Sequence, residues 1–123
     1  MQKFRFRKFQ VYKDALKFRK EIKELVNKHF PKVEMYLLGD QIIRAVNSII
    51  LCIAEGADRS TDKDFANFLN KSHTSLNEVV SCLDIALDDG YISEQIHAEY
   101  LKRAENLANQ LTAFRMKLLK DNK

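Results

Sequence analysis

The chain has 123 residues, 46% of them hydrophobic and 31% charged, with a formal net charge of +4. These values exclude a disordered chain and allow one hydrophobic core, so residues 1–123 are expected to form a single domain. Three glycines and one proline are too few for the turns of an all-β domain and suit long helices.

Charge is unevenly placed. Residues 1–30 hold ten Lys and Arg against three acids, a net of +7, so residues 31–123 sum to −3. Residues 1–8 form a basic, aromatic arm in which Lys3, Arg5, Arg7 and Lys8 are interleaved with Phe4 and Phe6. In an extended chain this alternation sets cations on one side and rings on the other. The arm has no apolar stretch behind it of the kind a secretion signal needs.

The first predicted helix runs from about Phe9 to His29, with Val11, Ala15, Phe18, Ile22, Leu25 and His29 on one face, and Pro31 ends it. It also carries Lys13, Lys17 and Lys20 on one face, with Arg19 and Lys23 nearby. Val33, Met35, Tyr36 and Leu37 of the connector are expected to tuck against the end of the bundle.

The second helix runs from Gly39 or Asp40 to Asp58. Ile42, Val46, Ile49 and Ile53 form one apolar stripe, and Ile43 and Ile50 form a second, enough to meet a neighbouring subunit. The longest apolar run, Ile49 to Ala54, is too short to span a bilayer. Across this helix runs a polar stripe of Gln41, Arg44, Ser48, Cys52, Glu55 and Arg59 at helical spacing. On a helix so apolar, the stripe is expected to be buried and hydrogen-bonded at the corner with the next helix and at a subunit contact; a small-ligand or anion pocket is the less favoured use.

Ser60 and Thr61 are N-cap candidates for the third helix. Its seam is Phe65, Leu69, Ser72, Leu76, Val79, Leu83 and Ala86, and Gly90 ends it. Ser93 caps a fourth helix with a seam of Ile96, Tyr100, Ala104, Leu107, Leu111, Phe114 and Leu118. Four amphipathic helices joined by short turns predict an all-α, antiparallel up-down-up-down four-helix bundle.

Cys52 and Cys82 fit neither a disulfide framework nor a metal spacing and read as small core residues in a reducing compartment. His29, His73 and His97 form no metal motif, Asp88 and Asp89 point to different sides of a helix end, and Ser72 and Ser75 lie one and two residues from His73, where a helix does not let it serve as their base. No catalytic residue, metal or cofactor is expected, and the chain is expected to be a cytoplasmic non-enzyme.

Several blocks carry a family resemblance: Gln41-Ile42-Ile43-Arg44-Ala45-Val46-Asn47-Ser48-Ile49, then Ile53-Ala54-Glu55-Gly56-Ala57-Asp58-Arg59-Ser60, Phe65 with Phe68-Leu69, Ser75-Leu76-Asn77-Glu78, and Gly90-Tyr91-Ile92. They resemble the 23S rRNA-intervening sequence proteins, bacterial four-helix bundles whose pattern reads roughly Q-x-x-R-A-x-x-S-I, N-I-A-E-G-x-x-R, F-x-x-F-L, G-S-x-x-E and G-Y-I. Ile50 stands in place of the family's proline, Cys52 in place of its asparagine, and Thr74 in place of its glycine before Ser75, with His73 in place of the basic residue before that. The resemblance implies a non-enzymatic homo-oligomer, with rings of five known among relatives, and a related bundle is the nucleic-acid-binding accessory protein of diversity-generating retroelements.

The expected function is therefore a homopentameric bundle that binds RNA or DNA electrostatically through Lys3, Arg5, Arg7, Lys8, Lys13, Lys17, Arg19 and Lys20. Gln41, Arg44, Ser48, Glu55 and Arg59 serve structure and assembly. The alternative is a scaffold whose partner is another polypeptide, such as one encoded nearby.

Overall fold

The computed structural model describes residues 3–121. It contains four helices: α1 (Gln10–His29), α2 (Leu38–Ala57), α3 (Asp62–Asp88) and α4 (Glu94–Asp121). Short 3-10 turns at Arg5–Lys8 and Lys32–Glu34 precede α1 and α2. Each helix packs on the next and α1 closes on α4, which gives the up-and-down four-helix bundle expected from the periodicity.

The helix ends follow local chemistry. Phe30 stops α1 in extended conformation just before Pro31, as the residue preceding a proline must. Thr61 caps α3 by accepting from the Asp64 amide at 3.1 Å. Gly90 has φ 79°. The Tyr91 amide donates to Ala86 at 2.9 Å and the Gly90 amide to Leu87 at 3.0 Å. That pair of bonds is a Schellman termination, which needs the left-handed conformation glycine adopts freely. Ser93 accepts from the Ile96 amide at 3.2 Å and starts α4.

The core is built from the predicted seams: Val11, Ala15, Phe18, Ile22 and Leu25 meet Ile42, Val46, Ile49 and Ile53, the whole α3 seam, and Ala104, Leu107 and Leu111. Ser72 is buried among them and donates to the Ile49 carbonyl at 2.9 Å. Its small side chain lets α3 approach α2, and the bond satisfies its hydroxyl.

Four expectations need correction. The arm is not extended: Phe4 has φ 58° and leads into the 3-10 turn, so rings and cations do not segregate to two sides. The connector does not tuck in. Val33, Tyr36 and Leu37 are exposed, Tyr36 to 89%, and only Met35 packs on the core. The segment Lys32–Glu34 is a 3-10 turn, whose three residues per turn send successive side chains to different sides. The second stripe of α2 needs no neighbouring subunit, because Ile50 is only 7% exposed and Ile43 is partly buried within one chain. The exposed apolar residue of α2 is instead Leu51, at 58%. Finally, Cys82 is a core residue but Cys52 is half-buried.

Candidate functional site

The polar stripe of α2 is a series of separate contacts on a largely exposed face. Gln41 and Glu55 are exposed. Arg44 pairs with Asp40 at 3.0 Å, both well exposed, a pair worth little in water. Ser48 shares a hydrogen bond with Ser75 of α3 at 2.9 Å, and Cys52 Sγ lies 3.9 Å from the Ser48 hydroxyl. Only this centre of the stripe pins α2 to α3 as expected.

Glu55 and Arg59 do not pair, and the cause is local. α2 ends at Ala57, and the Asp58 and Arg59 amides tighten into i+3 bonds to Glu55 and Gly56, which destroys the i,i+4 geometry of a helix. Arg59 instead lies over the Phe68 ring at 5.0 Å, and Lys71 covers the same ring at 4.5 Å.

The Ile-Ala-Glu-Gly and Phe-x-x-Phe-Leu blocks meet here. A Cβ on Gly56 would stand 2.6 Å from Phe68 Cβ and 2.9 Å from Phe65 Cδ1. The glycine is the gap through which α3 turns back onto α2. Phe65 also joins Phe9 and Phe114 in an aromatic cluster with ring centroids 5.1 to 6.1 Å apart.

Arg5 seals this end. Its guanidinium donates to the Ala57 carbonyl at 3.0 Å and lies 5.4 Å from the Phe9 centroid and 5.7 Å from that of Phe65. The last carbonyls of a helix have no internal partner and attract cations, and the last turn of α2 has no basic residue of its own. Arg5 therefore caps α2 from the N-terminal arm. A groove of about 760 Å³ opens between arm and corner, lined by Lys3, Phe4, Arg5, Glu55, Asp58 and Arg59 among others. The arm and the end of the stripe, far apart in sequence, thus share one surface. Its two carboxylates offset the cations.

The other candidate cations divide into two groups. Arg19 donates through Nε to Asn47 Oδ1 and ties α1 to α2. Lys3, Arg7, Lys8, Lys13, Lys17 and Lys20 are exposed, and none belongs to an ion pair among the described residues. Lys13, Lys17 and Lys20 lie on successive turns of the outer face of α1.

The Gly-Tyr-Ile block works at the opposite end. Tyr91 donates to Glu34 at 2.6 Å and its ring lies 6.0 Å from Phe30. That bond, burial and the charges of Glu34 and Asp89 push the phenol up to about 12. Burial and Glu78 push the Cys82 thiol up to about 11, away from the thiolate that a reactive cysteine needs. Burial also raises Tyr100, whose hydroxyl donates to the Glu21 carbonyl at 3.3 Å. Sequence reasoning missed the Arg5 cap and the Tyr91–Glu34 bond, which span 52 and 57 residues. The polar tip of Tyr91, which needs a partner wherever the ring packs, was the available signal for the second; none was available for the first.

No group of three or more His, Cys, Asp or Glu side chains among the described residues is placed to hold a metal. None of their helices is long and apolar enough to cross a membrane.

Comparison with known proteins places these features. No curated protein matches the chain. Among solved structures, a protein of unknown function from the S23 ribosomal protein family of Bacteroides thetaiotaomicron VPI-5482 superposes with a TM-score of 0.78 at 22% identity, over 86% of this chain and 95% of that one; at that identity the likeness concerns the fold. Residues 7–113 match the 23S rRNA-intervening sequence protein family. That span takes in both motif corners, α1, α2, α3 and α4 as far as residue 113, and the chain belongs to the 23S rRNA-intervening sequence protein family.

Proposed function

We propose that this chain is a non-enzymatic, self-associating bundle, pentameric as the family resemblance implies, that holds RNA or DNA by charge. The contact surface is the outer face of α1 together with Lys3, Arg7 and Lys8 of the arm. The observation that carries this reading is the row Lys13, Lys17 and Lys20: three exposed cations on one face with no acid paired to them among the described residues. Unpaired lysines are available to phosphates, whereas Arg5 and Arg19 are occupied by Ala57 and Asn47. Repeating the row around an assembly would multiply a weak contact. Such binding is largely indifferent to base sequence.

Titration of a labelled single-stranded oligonucleotide at several salt concentrations tests the reading. Affinity should fall with log salt at a slope of about −0.7 per phosphate contacted. Reversing Lys13, Lys17 and Lys20 together to Glu should abolish binding while the helical circular dichroism spectrum is kept. Equal binding by that variant removes this face from consideration.

A second reading rests on the exposed Val33, Tyr36 and Leu37 at one end of the bundle. Clustered apolar side chains of this kind suit docking of another polypeptide, and binding through them would depend little on salt.

A further inference from the structure

Arg115 sits on α4 at the wall of a crevice shared with α3. The crevice has a volume of about 220 Å³ and is lined by Leu69, Asn70, His73, Leu111, Thr112 and Arg115. Leu69 and Leu111 are fully buried and form its floor. Nε of Arg115 is buried and has no hydrogen-bond acceptor among the described residues. Buried polar atoms almost always have partners, and an orphaned donor on a charged group is costlier than one on a neutral group.

The surroundings indicate which chemistry would suit Nε. Every polar side chain lining the crevice can donate: the Asn70 amide, the His73 ring, the Thr112 hydroxyl and the guanidinium. No carboxylate lines it. Arg103, on the same helix, is the contrast, with Glu21 at 3.0 Å and Glu99 completing its coordination. Asn70, Thr112 and a neutral His73 can also accept, but the one fixed charge of the crevice is the guanidinium, whose Nε has no acceptor among the described residues, and that combination favours an acceptor-only occupant of high charge density. Its volume is below the roughly 300–1,000 Å³ of sites for larger organic ligands, so the occupant is an ion and not a nucleotide.

We propose that the α3–α4 crevice at Arg115 is a binding site for one small tetrahedral oxyanion of the phosphate or sulfate class. The site lies on different helices from the lysine row of α1 and does not depend on nucleic-acid binding there.

The test is thermal unfolding and calorimetric titration of the full chain with inorganic phosphate, with NaCl at matched ionic strength as the control. The wild-type melting midpoint should rise saturably with phosphate, and calorimetry should give one ion per chain. Arg115→Met keeps the aliphatic stem and should abolish both effects. Should that variant fail to fold, Thr112→Val and Asn70→Leu leave the arginine in place, and each should weaken phosphate binding. An equal midpoint rise in NaCl, or in Arg115→Met, means an adventitious ion only and overturns the site. Absence of any response in the wild type means that water satisfies Nε, and overturns it too. A 5′-phosphorylated oligonucleotide distinguishes the source of the anion: dependence on Arg115 for the oligonucleotide but not for free phosphate overturns a free-ion site.

Discussion

Gly56 lies directly against Phe68, so closely that a Cβ on the glycine would come within 2.6 Å of Phe68 Cβ. The opposing atom is fixed to the α3 backbone and cannot swing aside. Gly56→Ala should therefore push α2 and α3 apart. Alanine favours a helix over glycine by about 1 kcal/mol, but overpacking of this kind costs about 1–3 kcal/mol. The net expectation is a loss of up to ~2 kcal/mol in chemical denaturation. A denaturation midpoint equal to or above wild type would show that the corner has slack.

Tyr91 makes the opposite corner sensitive to alkali. Its folded-state pKa, about 12, lies above its ordinary value of 10. The folded protein therefore holds this proton more tightly than the unfolded chain does. The resulting stabilisation is complete below about pH 10 and is lost as pH rises through about 12. Phenolate absorbance should lose a late-titrating component in Tyr91→Phe, while that of Tyr100, which burial also raises, is kept. Glu34→Leu removes both the hydrogen-bond acceptor and the charge, and should bring that titration back toward the ordinary range.

The four helices, their caps and nearly all of their seams were legible in the sequence, because each rests on local spacing. Thr61, Gly90 and Ser93 do what their residue types dictate. The polar stripe was misjudged because a helix that is apolar on most of its residues was taken to be covered on every side. Its partners α1 and α3 leave an outer face on which Arg44, Leu51 and Glu55 stay wet. The Glu55–Arg59 pair failed because the helix stops two residues before Arg59, and helix ends are where spacing rules lapse. Of the candidate cations, sequence could identify charge but not occupancy. That Arg5 caps α2, and Arg19 bonds Asn47, depends on contacts across the fold.

This division among the cations separates stability from binding. Arg5→Met removes the bond to the Ala57 carbonyl and should lower stability by about 1 kcal/mol, as should Arg19→Met through Asn47. Lys17→Met touches no partner and should change stability by no more than ~0.5 kcal/mol, yet weaken oligonucleotide binding and make its salt slope shallower by about 0.7. Melting curves and salt titrations of the three variants settle the matter together. A Lys17 variant with wild-type affinity and slope would take the middle of α1 out of the interface.

Ser72 and Leu69 are both fully buried on the α3 seam, but they hold the bundle in different ways. Leu69→Ala should cost about 2–5 kcal/mol, because it leaves a cavity. Ser72→Ala removes only a hydroxyl whose acceptor, the Ile49 carbonyl, lies inside a helix and keeps its backbone partner; the loss should be about 1 kcal/mol or less. Reversal of that order in urea unfolding would mean that the Ser72 hydroxyl contributes more than one hydrogen bond to the α2–α3 contact.

Leu51 tests whether the proposed self-association uses the outer face of α2. It is 58% exposed on a face that also carries Asp40, Gln41, Arg44 and Glu55. A lone exposed leucine is ordinary on a protein surface, so exposure by itself proves no interface. Placing a charge there discriminates, because a buried unpaired charge is tolerated in no close-packed contact, while in water it is nearly neutral. Leu51→Glu should reduce the mass in solution to that of one chain while the helical spectrum is unchanged. Ile85→Glu on α3, at a similarly exposed apolar position, is the control and should leave the mass as it is. A Leu51 variant with the same mass as an oligomeric wild type would take this face out of the proposed assembly, and the exposed Val33, Tyr36 and Leu37 become the surface to mutate next.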